Sequence, residues 1–196
     1  MKLVVSEFIS MDGVIEAPGG GEDFEHGGWT FGFEQGPDGE QFKFDEVMKA
    51  DALLLGRVTY EGFAQAWPSM TDAGEFGDKM NGMPKYVAST TLDKADWNNS
   101  TVIPGDVAEE VARLRQQPGG DLLVNGSAKL VQTLMAHDLV DEYRLMVFPI
   151  VLGSGKRLFG DGSTKTTLRL VEEKQVGPDG VLVLTYQPAR EQAGQS

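Results

Sequence analysis

The chain has 196 residues, enough for one well-cored domain and short for two, and no stretch of linker composition divides it. A net charge of −13 without any Lys/Arg cluster argues against nucleic acid and anionic membranes, whose phosphates are bound by releasing counterions to clustered cations. Zero cysteines remove disulfides, thiolate metal sites and cysteine nucleophiles together; with a short acidic start at Met1–Phe8 and no apolar run of membrane-spanning length, the expectation is a cytoplasmic protein.

Residues 2–9 alternate and are rich in β-formers, which predicts a first strand, with Met11-Asp12-Gly13 as its turn before Val14 and Ile15. From Glu16 to Gly39 the chain is glycine-rich and acidic, with Phe24, Trp29, Phe31 and Phe33 spread among the glycines. That is too long for an ordinary connection, and either a lid over a ligand or a loop pinned to the core fits it. Phe44, Val47 and Met48 recur at helical spacing within 40–49 and lead into an apolar strand at 52–55. A helix is predicted over 58–66, closed by Pro68, while 69–84 is weakly patterned. Short strands follow at 86–88, ending in the hydroxyls of Ser89, Thr90 and Thr91, and at 101–103.

The segment 106–117 opens with Asp106 as cap and Glu109 three residues on, carries Val107, Val111 and Leu114 on one face, and stops at Pro118-Gly119-Gly120, a helix by every local signal. Residues 127–137 form another, with Ser127 as cap and Leu130, Val131, Leu134 and Met135 inward. Beyond Asp141 the helical period vanishes, and strands at 142–150, 166–175 and 181–187 follow, the last two joined through Gly177-Pro178-Asp179-Gly180. The order of elements gives an α/β fold whose mixed sheet is parallel in its centre and antiparallel at one edge. The folded unit is 1–188, and 189–196 is expected to be a frayed tail.

Twice an apolar run stops at a glycine and a helix-competent segment follows at once: Leu53-Leu54-Leu55-Gly56-Arg57 and Leu123-Val124-Asn125-Gly126-Ser127. In an open α/β sheet the carboxyl ends of the strands face one crevice, so two such junctions can turn helix N–H groups toward a single anion. Arg57 and Lys129 stand beside the two glycines. Known nucleotide fingerprints fail: no G-x-G-x-x-G follows a strand, and Gly153-Ser154-Gly155-Lys156-Arg157 lacks the phosphate-loop spacing and puts Arg where Ser or Thr must hold magnesium. The two histidines, His26 and His137, have no ligand-spaced partners, so no metal site is expected.

Five pieces in order, Ser10-Met11-Asp12-Gly13-Val14-Ile15, Gly56-Arg57-Val58-Thr59-Tyr60-Glu61, Tyr86-Val87-Ala88-Ser89-Thr90, Val124-Asn125-Gly126-Ser127 and Pro149–Phe159, span nearly the whole chain. Together they resemble the dihydrofolate reductase superfamily, and within it stand-alone relatives of the C-terminal reductase domain (RibD) of bifunctional riboflavin-biosynthesis enzymes. The resemblance implies a dihydrofolate-reductase-like fold, an NADPH site, and hydride transfer to a polarised C=N or C=O bond of a small heterocyclic, pterin- or pyrimidine-like, or carbonyl substrate. It places Gly56, Arg57 and Thr59 at the cofactor's phosphates, where a guanidinium fork suits phosphate geometry. Ser89 and Thr90 fall along the adenosine half, Thr90 near the 2′-phosphate; Gly126, Ser127 and Ala128 fall at the pyrophosphate; Phe8, Ile15 and Glu16 line the nicotinamide pocket. Counting back without gaps from Gly56, the family's substrate-orienting acid falls at Glu40, with Asp45 and Glu46 as alternatives in another register.

Two departures bear on substrate. The long acidic loop replaces the compact loop of folate reductases, and the zinc-binding deaminase domain of the bifunctional enzymes is absent. Three readings stand: a reductase of a small molecule, the riboflavin-pathway 5-amino-6-ribosylaminouracil reductase within that class, and a nucleotide-binding sensor without turnover on the same fold. The resemblance also implies a homodimer.

Overall fold

The computed structural model describes residues 1–21 and 23–189; the expected tail at 190–196 lies outside the described residues. Eight strands form one sheet: β1 (Lys2–Ser10), β2 (Ala50–Gly56), β3 (Lys85–Ala88), β4 (Ser100–Val102), β5 (Asp121–Val124), β6 (Glu142–Phe148), β7 (Leu168–Val176) and β8 (Val181–Pro188). Their order is β4-β3-β2-β5-β1-β6-β8-β7. Strands β1 to β6 run parallel to their neighbours, and β8 and β7 add antiparallel, the mixed sheet expected from the order of elements.

The central strands are apolar on both faces because helices cover both. On one face, α4 (Val107–Arg115) and α5 (Ala128–Ala136) bring Val111, Leu114, Val131 and Leu134 against Leu3, Val5, Leu54, Leu122 and Val124. On the other, α1 (Gly36–Lys49), α2 (Arg57–Ala66) and α3 (Gly74–Gly82) bring Val47, Tyr60 and Met80 against Val4, Leu53, Leu55 and Leu123. Helix α4 starts as its sequence demands, the Asp106 carboxylate accepting the Glu109 N–H at 3.0 Å.

Two helices differ from the sequence reading, and the aromatic loop takes one of its two expected forms. Helix α1 begins at Gly36, four residues before Glu40, with Pro37 in the first turn, where a missing N–H costs nothing. Helix α3 occupies the weakly patterned stretch. With Gly74, Gly77 and Gly82 it has little intrinsic propensity, and it is held by burial of Met80 and by Asn81, which donates to Trp67 O and accepts the Trp97 indole N–H at 2.8 Å. The aromatic loop is pinned rather than loose: Trp29 is buried edge-on against Phe148, its indole donates to Glu16 O at 2.9 Å, and Phe33 meets Phe148 as well, leaving Phe31 exposed. Among the described residues no helix is long and apolar enough to cross a membrane.

Candidate functional site

The pairings Gly56↔Ala88 and Leu54↔Val124, with Val5↔Val124 on the next strand, bring the carboxyl ends of β3, β2, β5 and β1 side by side. The two glycine junctions therefore touch. Gly56 N–H donates to Gly126 O at 3.1 Å, and a Cβ on Gly56 would stand 2.5 Å from Ser127 Oγ and 3.0 Å from its N. Gly126 has φ +82°, a conformation that favours glycine, and a Cβ there would meet Thr59 Oγ1 at 3.0 Å and Glu7 Oε1 at 3.8 Å. Gly56, Thr59, Gly126, Ser127 and Ala128 are thus one corner, with Ser89 and Thr90 following directly on β3 at its side. Gly56→Ala is expected to cost about 1–3 kcal/mol, because the new methyl meets backbone as well as side chain; urea unfolding measures it.

The other side chains at this corner differ in readiness. Ser127 sits at the cap position of α5 but makes no side-chain cap bond, so the helix N-terminus is open to an outside acceptor. Arg57 is exposed and forks onto Glu61 at 2.8 and 3.0 Å, an i,i+4 surface pair of a few tenths of a kcal/mol that a phosphate can displace. Ser89 Oγ accepts the N–H groups of Thr91 and Leu92, which fixes the turn and leaves Thr90 exposed.

Glu7 lies beneath this corner, buried, with the Gly126 N–H on its carboxyl and Oε1 without a hydrogen-bond partner. Burial pushes its pKa up to about 8, against the lowering pull of Lys43 and the Gly126 N–H. The raised pKa favours the protonated form, which lessens the repulsion an anion meets at this corner.

The segment after β1 is locked to the Pro149–Phe159 motif. Asp12 accepts Ser10 Oγ–H and the N–H groups of Leu152 and Gly153, which hold its carboxyl well below the usual carboxylate range; Ile15 N–H reaches Lys156 O. Glu16 accepts the Lys156 N–H at 2.9 Å and pairs with its ammonium, so its side chain braces this junction, and the Ile15 side chain joins the α5-side core. Phe8 faces the other way, edge-on to Phe148 at 5.5 Å, with the Lys43 ammonium 5.3 Å from its ring.

The partly buried acid expected at Glu40 is not there. Glu40 is exposed, on the wall of a cleft of about 540 Å³ that Lys43, Phe44 and Phe76 also line, because α1 packs over Ser6 with Glu46, not Glu40, on its inner face. Asp45 is exposed too and accepts from Gln41. The buried carboxyl of α1 is Glu46, 2% exposed; its Oε2 accepts from Ser6 Oγ at 2.7 Å and from Lys43 Nζ at 2.5 Å, while Oε1 faces Arg144 at 3.7 Å. Sequence reasoning passed over Ser6, Glu7 and Lys43. The available signal was two polar residues inside an otherwise apolar first strand, one of which, Ser6, meets a Lys–Glu pair at i,i+3 on the covering helix.

The sequence matches the RibD C-terminal domain family over residues 1–182. The chain belongs to that family. It is 30% identical over 188 residues to the uncharacterized protein YyaP of Bacillus subtilis (strain 168), covering 94% of each chain. Among solved structures it is similar to a riboflavin biosynthesis protein of Shewanella sp. PV-4, with TM-score 0.74 at 22% identity over 97% of this chain and 100% of that one. It is also similar to dihydrofolate reductase of Enterococcus faecalis complexed with NADP(H), with TM-score 0.61 at 16% identity over 96% and 97%. This RibD C-terminal member thus has the dihydrofolate-reductase-like, reductase-type fold that the ordered motifs imply.

Proposed function

We propose that this RibD C-terminal protein binds NADPH across the Gly56/Gly126 corner and reduces a small heterocyclic or carbonyl substrate in the cleft beside α1. The observation that carries the reading is the direct contact of two strand–glycine–helix junctions, Gly56 against Ser127, over a buried Glu7. A close-packed backbone corner with an uncapped helix N-terminus and a nearby displaceable arginine has the donor chemistry of a pyrophosphate site. The residues fit the cofactor. Arg57 and Thr59 would hold phosphate oxygens from α2, the Gly126–Ala128 turn would supply N–H groups, and Ser89 and Thr90 would run along the adenosine half. The strand carrying Phe8 would form the nicotinamide floor, with Ile15 and Glu16 fixing the segment beyond it.

NADPH, when bound, supplies the hydride; the chain's own part is orientation and exclusion of water. Exposed Leu170, Val171 and Leu182 on the outer antiparallel strands are the surface we propose for the homodimer. Fluorescence titration should give micromolar NADPH binding, and Arg57→Ala should weaken NADPH about tenfold and more than NADH. Equal loss for both would remove any 2′-phosphate role of Arg57. A screen of folate, pyrimidine and carbonyl compounds for NADPH oxidation tests turnover, and tight binding with no oxidation of any of them would favour a sensor.

A further inference from the structure

Glu7 closes the floor of the Gly56/Gly126 corner, and its bonding is incomplete. The residue is 8% exposed, its carboxyl takes the Gly126 N–H, and Oε1 has no hydrogen-bond partner among the described residues. A buried carboxylic acid needs an acceptor for its O–H, and none of the described residues gives Oε1 one. The bare face of Gly126 lies beside it. A Cβ there would stand 3.0 Å from Thr59 Oγ1 and 3.8 Å from Glu7 Oε1, so an oxygen atom seated against this glycine lies between the hydroxyl and the carboxyl. The next residue, Ser127, makes no side-chain cap bond to the nine-residue helix α5, whose open N–H groups favour an anion at the same place. An orphaned buried oxygen and an open helix end thus meet at one glycine.

We propose that Glu7 is a further anion-binding residue of this corner: as the acid it donates its O–H, directly or through one water, to a phosphate oxygen seated against Gly126, and as the carboxylate it repels that oxygen. The inference rests on the reading of the corner as a dinucleotide site and adds a proton to what that site binds. Where Glu7 has already ionised, the proton comes from solvent and ends on its carboxyl. The charged groups bearing on Glu7 are both on α1: Lys43 favours the carboxylate and Glu46 the acid, while burial holds the proton up to about pH 8. Arg144 of β6 is taken up by Glu46, Asp121 and Glu142, Arg57 of α2 is turned onto Glu61, and Lys129 of α5 is exposed.

The test titrates NADPH and NADH from pH 7 to pH 9.5, above the phosphate monoester pKa of about 6, with the fold checked by circular dichroism at each pH. NADH lacks the 2′-phosphate but shares the diphosphate, so both should weaken about tenfold or more across the range. Calorimetry at pH 9 in buffers of different ionisation heat should show uptake of close to one proton per dinucleotide, a readout that needs no variant and that a merely structural role would not move. Glu7→Gln keeps a donor that cannot titrate: its affinities should stay flat with pH, with no proton uptake. Glu7→Leu keeps neither and should bind about tenfold more weakly than Glu7→Gln at pH 7. Flat affinities in the parent protein, or a slope and proton uptake that persist in Glu7→Gln, overturn the assignment and leave the cofactor reading standing. Should neither dinucleotide bind at any pH, the cofactor reading falls, and ADP titrated in the same way decides Glu7 alone: binding that weakens with pH in the parent and not in Glu7→Gln keeps it, and any other result overturns it.

Discussion

Lys85→Met should lower unfolding stability by about 2–4 kcal/mol, read as a shift in the urea midpoint at constant slope. Lys85 lies in β3 with no exposed surface, and its ammonium gives all three N–H bonds to backbone carbonyls: Asn81 O at 2.9 Å, Met83 O at 2.9 Å and Asn98 O at 3.0 Å. The Trp97 ring covers it at 4.1 Å. Two opposed effects set the size of the loss. Burial penalises the charge and pulls its pKa down to about 8, so removing it recovers desolvation energy. Removing it also strands the carbonyls of Met83 and Asn98, just after α3 and in the loop before β4, while Asn81 O keeps the Asn98 amide at 3.2 Å; the helix they adjoin has three glycines among nine residues and little intrinsic propensity. The second effect wins, because methionine fills the space without offering a donor and each stranded buried carbonyl costs about 1–3 kcal/mol, reduced where water can reach it. A midpoint shift below about 0.5 kcal/mol would mean the carbonyls find other partners.

The same lysine shows what could and could not be read ahead of the structure. The parallel centre was legible: Ala52–Leu55 and Leu122–Val124 are too short and too uniformly apolar for anything but strands buried on both faces, and each ends at a glycine. Contact between the two corners follows from that register. Helix α3 was not legible, because its stabilising groups, Asn81, Lys85 and Trp97, are spread over seventeen residues and act only once folded. The start of α1 was hidden in glycine-rich composition, although Pro37 is a start signal that periodicity alone does not weigh. The position of the buried acid needed the helix phase: a gapless count lands on Glu40, and only the packing of α1 over Ser6 turns Glu46 inward.

Stability should also fall on raising the pH from about 4.5 to about 8, and Glu7→Gln should abolish most of that fall. In the fold Glu7 holds its proton up to about pH 8, whereas in the unfolded chain it releases it near 4.5. Between those values the folded protein binds one more proton than the unfolded one, so the stability is full below 4.5, drops through the window and levels above 8. The shift corresponds to a drop on the order of 4–5 kcal/mol. Lys43 and the Gly126 N–H favour the ionised form and Glu46 opposes it, yet burial is the largest cause, which makes glutamine the right probe. Its amide oxygen can keep the Gly126 N–H and its volume matches, while nothing in it titrates. Urea midpoints at pH 5 and 9 should therefore differ by several kcal/mol more in the parent protein than in Glu7→Gln, with the variant the more stable at pH 9. Parallel pH curves for the two proteins would show that Glu7 is ionised in the fold, and the corner at Gly126 would then carry a negative charge where the cofactor reading needs none.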